Sequence, residues 1–180
     1  MRRRSFLVLL PLAACAEGAL PPVEYARLPP GSVEGAGDPT RAAVLRASYA
    51  FANPATLANR PGAAAAAIID MEYLAASLPT DPRYNQRDPL LPVRLRQARQ
   101  EWRGVLGIPP EVPAQAVIDR MARIASDEQS GIPPRDDPAL IARLATLPRL
   151  PRTVEAANSA AQVQLQTDQT RGGAGGRVRF

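Results

Sequence analysis

Apolar residues recur at three- and four-residue steps over most of the chain between Asp38 and Thr170, which predicts helices that each bury one face. The cleanest run is Leu91, Leu95, Ala98, Trp102, Val105 and Leu106, with Pro92 in the first turn, where a missing N–H is harmless. Pro61 to Leu78 predicts a second helix. Ile68, Met71, Leu74, Ala75 and Leu78 form its broad apolar face, and the alanines at 63–67 would let a neighbouring helix come close. Val117, Met121, Ile124 and Ala125 mark a third helix, and Leu140, Ile141, Leu144 and Leu147 a short fourth. Val44, Leu45, Ser48 and Ala52 follow helical spacing after Asp38. Val154, Ala157, Ala161 and Leu165 do so within a polar, glutamine-rich stretch, which reads either as a loosely packed last helix or as an extended arm.

Punctuation between these runs is unusually explicit. Most of the 20 prolines fall between periodic segments. Asp-Pro occurs at Asp38, Asp81, Asp88 and Asp137, the pairing of an N-cap acid with proline at the first helical position, so these aspartates read as caps or turn starters. Gly107-Ile108-Pro109-Pro110 and Gly131-Ile132-Pro133-Pro134 are two copies of a stop: glycine takes the left-handed position, isoleucine folds back, and proline prevents continuation. Residues 79–89 read as a loop. The expected fold is all-α, five to six short helices in antiparallel hairpins over residues 38–170, with a flexible tail at 171–180. Residues 16–37 are rich in Pro and Gly without periodicity and read as a tether, which if extended reaches about 60 Å.

The first residues have a different character. Arg2, Arg3 and Arg4 precede the apolar Phe6-Leu7-Val8-Leu9-Leu10, and the segment closes on Leu12-Ala13-Ala14-Cys15. This resembles the lipobox of bacterial lipoproteins, with residues 1–14 as the cleaved signal peptide, a segment too short to span a bilayer. The resemblance implies that Cys15 carries covalent lipid, and that the mature protein is held at the cell envelope facing the periplasm. Ala16, in place of aspartate after the cysteine, implies the outer rather than the inner membrane. Two or three acyl chains make such attachment effectively permanent. Arg3-Arg4-Ser5-Phe6-Leu7 also resembles the core of a twin-arginine export motif, although Arg2 replaces its usual hydroxyl residue.

Composition narrows the chemistry further. All 22 basic residues are arginine, and histidine is absent. Three of the 22 precede Cys15, so the mature chain of about 165 residues is only mildly basic despite a formal charge of +5. With 4% aromatics it lacks the stacking and charge density of a nucleic-acid binder. Without histidine, and with its one cysteine assigned to lipid, the chain lacks the commonest general base and the thiolate chemistry of catalysis and metal binding. Asp127-Glu128 and Asp136-Asp137 flank one loop, but the prolines between them oppose a tight calcium cage. Neither a catalytic residue nor a cofactor or metal ligand is expected, apart from the lipid on Cys15. Arg96, Arg99 and Arg103 share the face opposite Trp102 and read as a solvated face, or as a stripe gripping phosphate-bearing headgroups or an acidic partner. The expected function is that of a non-catalytic, membrane-anchored envelope protein whose helical surface contacts a protein or the cell wall. A periplasmic carrier of lipid or a small hydrophobic ligand is the alternative, and an enzyme of unrecognised class the third.

Overall fold

Seven α-helices account for most of the described residues, 24–32 and 37–173, in the computed structural model. They are α1 (Pro39–Ala52), α2 (Pro61–Ser77), α3 (Pro82–Asn85), α4 (Leu91–Leu106), α5 (Ala114–Gln129), α6 (Pro138–Ala145) and α7 (Pro151–Gly173). The chain is all-α, with no strand among the described residues.

The caps form where the sequence places them. Asp38 accepts from the Thr40 and Arg41 amides, Asp81 from Arg83 and Asp137 from Ala139, each with proline following at the first helical position. Asp88 instead starts a turn, accepting from the Leu90 amide. Both stops close as Schellman motifs. With Gly107 at φ 71°, the Ile108 amide reaches the Arg103 carbonyl at 2.8 Å; with Gly131 at φ 69°, the Ile132 amide reaches Asp127 at 2.9 Å. Only Ile108 folds back onto the core, whereas Ile132 stays 43% exposed.

α2 lies at the centre and touches α1, α4, α5 and α6. It is buried nearly all round, which is why its alanines matter. The start of α2 lies so close to the end of α5 that a Cβ on Gly62 would stand 2.6 Å from Glu128 Cβ. α7 closes the other side against α1, α3 and α4. One core runs through the molecule, with Trp102, Ile68, Met71, Leu95, Ile118 and Met121 among its largest fully buried side chains. Every buried side-chain nitrogen and oxygen among the described residues has a hydrogen-bond partner.

Four sequence expectations change. The predicted loop at 79–89 contains a 3-10 turn and the helix α3, held by Tyr84, which is buried and donates its hydroxyl to Gln164 Oε1. α1 buries Thr40, Ala43, Val44, Ala47 and Phe51, leaving Leu45 on the exposed side of the predicted stripe. α7 is a packed helix, not an arm, but its inner face is Thr153, Ala156, Ala157, Ala160, Val163, Gln164 and Thr167, while Leu165 points outward. Small and hydrogen-bonded residues let that face approach α1 and α4 closely, where an apolar-only reading selects the wrong side. The last helix also runs to Gly173, past the expected start of the tail.

Candidate functional site

Two acids interrupt the otherwise apolar α2, and both are buried. Glu72 is fully enclosed. Its carboxylate accepts from Arg103 Nε at 2.7 Å and from a second Arg103 nitrogen at 2.8 Å, from Arg99 Nε at 3.0 Å and from the Trp102 indole at 2.8 Å. Arg103 spends its remaining nitrogen on the Pro110 and Val112 carbonyls, at 3.1 and 2.7 Å. A buried carboxylate needs this density of donors, because desolvation otherwise outweighs what one partner returns.

Arg99 continues the network outward to Glu24, at 2.5 Å. Glu24 opens a strap of residues 24–32, within the stretch read as tether, which lies against the domain instead of standing free. Its carboxylate also accepts from the Ala114 amide at the start of α5, the Arg27 amide donates to Gln115 at 2.8 Å, and Ala26 and Leu28 pack on the core. Burial raises the Glu24 carboxyl, but the Arg99 and Ala114 hydrogen bonds and the charges of Arg99 and Arg103 outweigh it and hold the group below the usual glutamate value.

The strap ends at a groove. Pro29–Ser32, α1, the first half of α2 and the last turns of α5 enclose about 760 Å³, open on one side. Ala63, Ala66, Ala122 and Ala125 give it smooth apolar walls. Arg46 spans one end: it holds Asp70 at 2.6 and 2.9 Å and donates to the Ser32 carbonyl at 2.8 Å, so one guanidinium pins the strap to α2. Burial pushes the Asp70 carboxyl above the ordinary aspartate value, against the pull of Arg46. At the other end the Glu128 carboxylate accepts from the Gly62 amide at 2.7 Å, satisfying an orphan donor where the α2 dipole favours negative charge. Arg60 also stands at this end. Chemically, the groove offers an apolar floor between two polar ends, of a size that takes a small molecule or a short segment of polypeptide.

The residues singled out in the sequence are not gathered there. Of the arginine stripe, only Arg96 is exposed; Arg99 and Arg103 are drawn inward by Glu72 and Glu24, so the three do not form a free cationic face. Asp127 pairs with Arg135, Asp136 with Arg120, Glu128 caps α2 and Asp137 caps α6, so the four acids around that loop point to four separate partners. Among the described residues no three acids, cysteines or histidines converge as a metal site, and no helix is long and apolar enough to cross a membrane. Cys15 lies outside the described residues. The groove itself left one trace in the sequence, the alanine run of α2; the acids Asp70 and Glu72 left another, since charge inside an apolar helix demands a partner. Comparison with family models, with curated proteins and with solved structures returns no match.

Proposed function

We propose that this chain is a lipid-anchored, non-catalytic protein of the bacterial envelope, attached through Cys15 and facing the periplasm, and that its helical domain binds an apolar segment of a partner protein in the α1–α2–α5 groove. The observation that carries the reading is the groove. Its walls are alanines, which allow the backbone of an inserted segment to come close, and one end carries Arg60 and Glu128 while Arg46 and Asp70 stand at the other, charges that can orient that segment. Ala66 lies half-buried on its wall, so Ala66→Arg fills the space without opening the core. A photo-crosslinker at position 66 in the lipidated protein should capture a discrete partner in native envelopes, and Ala66→Arg should abolish its co-purification. Cys15→Ser should release the protein from membranes and remove palmitate labelling.

The volume of about 760 Å³ supports a second reading, a carrier of lipid or a small hydrophobic ligand. Lipid that co-purifies with the protein and is lost in Ala66→Arg, with no protein crosslink, would decide for the carrier.

A further inference from the structure

We propose that the edge of the domain formed by the strap and α4, carrying Tyr25, Arg27 and Arg96, is its membrane-facing surface and docks on anionic phospholipid headgroups. The inference rests on Cys15 being the anchored residue. Strap docking changes the geometry of that anchor. With Glu24 fixed between Arg99 and the Ala114 amide, nine peptide steps separate Cys15 from the domain. Nine steps span at most about 30 Å. Were the strap free as far as Asp38, the same anchor would reach about 75 Å. A domain of this size is about 35–40 Å across. A leash shorter than the body it holds keeps the attached edge toward the bilayer.

The side chains at that edge suit headgroups. The strap alternates, with Ala26 and Leu28 turned inward and Tyr25 and Arg27 outward; Tyr25 is 85% exposed. Tyrosine prefers the boundary between headgroup and acyl chain. Arg96 lies one turn of α4 before Arg99, on the same face as the Glu24 contact. Both Arg27 and Arg96 are exposed and neither joins an ion pair among the described residues. Of the acids beside them, Glu24 is neutralised by Arg99, whereas Asp119 accepts from the Gln115 side-chain amide and keeps its charge, so the two arginines leave this edge a net charge of only about +1. A short leash keeps the two arginines and the tyrosine beside the headgroups, so docking needs far less affinity than recruiting a free protein would.

The single thiol allows a direct test. The mature chain from Cys15 is coupled through that thiol to maleimide-bearing vesicles, which replaces enzymatic lipidation, and surface tyrosines are then footprinted by hydroxyl radicals. On vesicles containing phosphatidylglycerol, oxidation of Tyr25 should fall about three-fold relative to the uncoupled protein, while Tyr49 on α1, itself 63% exposed, should stay unchanged. Arg27→Glu with Arg96→Glu, or vesicles of phosphatidylcholine alone, should restore Tyr25 oxidation while coupling stays complete. Tyr25 oxidation unchanged from the uncoupled protein on anionic vesicles, or a fall shared equally by Tyr49, or protection indifferent to both arginines, overturns the proposal. Failure of the lipidation reading shows separately, as absent palmitate labelling in cells, and leaves the vesicle result intact.

Discussion

Glu72 is the residue on which most of the polar interior depends. It is fully buried and takes four side-chain hydrogen bonds from Arg99, Trp102 and Arg103. Arg103, nearly as buried, makes no other ion pair among the described residues. Glu72→Ala should therefore cost about 3–5 kcal/mol, because it strands a buried cation. Adding Arg103→Met should recover part of that loss, since removing both charges costs less than breaking the pair; urea unfolding at neutral pH measures both. A double variant no more stable than Glu72→Ala would show that the carbonyls of Pro110 and Val112 satisfy Arg103 unaided. The sequence announced half of this arrangement. Asp70 and Glu72 stand out as charges in an apolar helix, whereas their partners lie 24 to 31 residues away on helices of undetermined order. Arg99 and Arg103 look like a solvated face for the same reason: charge on a helix opposite a tryptophan is read as outward unless the buried acid facing it is known.

At the scale of elements, ends were more legible than faces. N-caps and Schellman stops are local, set by two to four neighbouring residues, so Asp38, Asp81, Asp137, Gly107 and Gly131 behave as their chemistry dictates. Faces depend on the neighbour. In α1 and α7 the contact is made by Ala, Thr and Gln, so Leu45 and Leu165, the residues hydrophobicity favours, lie outside. The α2–α5 contact, with Gly62 against Glu128, is also tight. Gly62→Ala improves helix propensity yet places a Cβ 2.6 Å from Glu128 Cβ. It should destabilise by about 1–3 kcal/mol, whereas in a Glu128→Gly background, which also lacks the α2 cap, adding Gly62→Ala should cost little, as read from the difference in thermal unfolding between the two Glu128→Gly chains.

Helix ends also set the response to acid. Arg83 holds the caps of α1 and α3 together, 2.9 Å from Asp38 and 2.7 Å from Asp81. In both aspartates burial raises the carboxyl, but the hydrogen bonds from Arg83 and the backbone amides and the charge of Arg83 leave it below the ordinary value. Asp136 is lowered chiefly by its hydrogen bond from Arg120. Such groups bind protons less readily folded than unfolded, so their contribution is complete above the unfolded value of about 3.9 and is lost as pH falls through the folded values. Asp70 acts in the opposite sense, since burial raises it and its protonation favours the folded state. The urea midpoint should hold steady from pH 7 to 5 and drop below about pH 4. Asp38→Asn with Asp136→Asn should flatten that drop, and an unchanged acid limb would assign it to other carboxyls.

For the molecule as a whole, the strap decides where the segment before Glu24 joins the domain. Composition alone makes residues 16–37 a spacer, because Pro and Gly without periodicity specify no partner. The docking of residues 24–32 depends on Arg99, Gln115 and Arg46, which are distant in sequence. The same strap also forms one wall of the groove, so under the proposed anchoring at Cys15 its attachment would couple the distance from the membrane to the shape of the groove. Glu24 makes its one ion pair among the described residues. Glu24→Ala removes two charge-assisted hydrogen bonds but leaves the Ala26 and Leu28 contacts and the global core in place. Local opening should then become at least about ten-fold more frequent. Trypsin reads that opening directly, because Arg27 lies inside the strap with its amide bonded to Gln115. Cleavage after Arg27 should accelerate about ten-fold in Glu24→Ala, with the unfolding midpoint of the domain nearly unchanged. Cleavage at the wild-type rate would mean that apolar contacts and Arg46 hold the strap without Glu24, and the leash would then be fixed nearer to the groove than to α5.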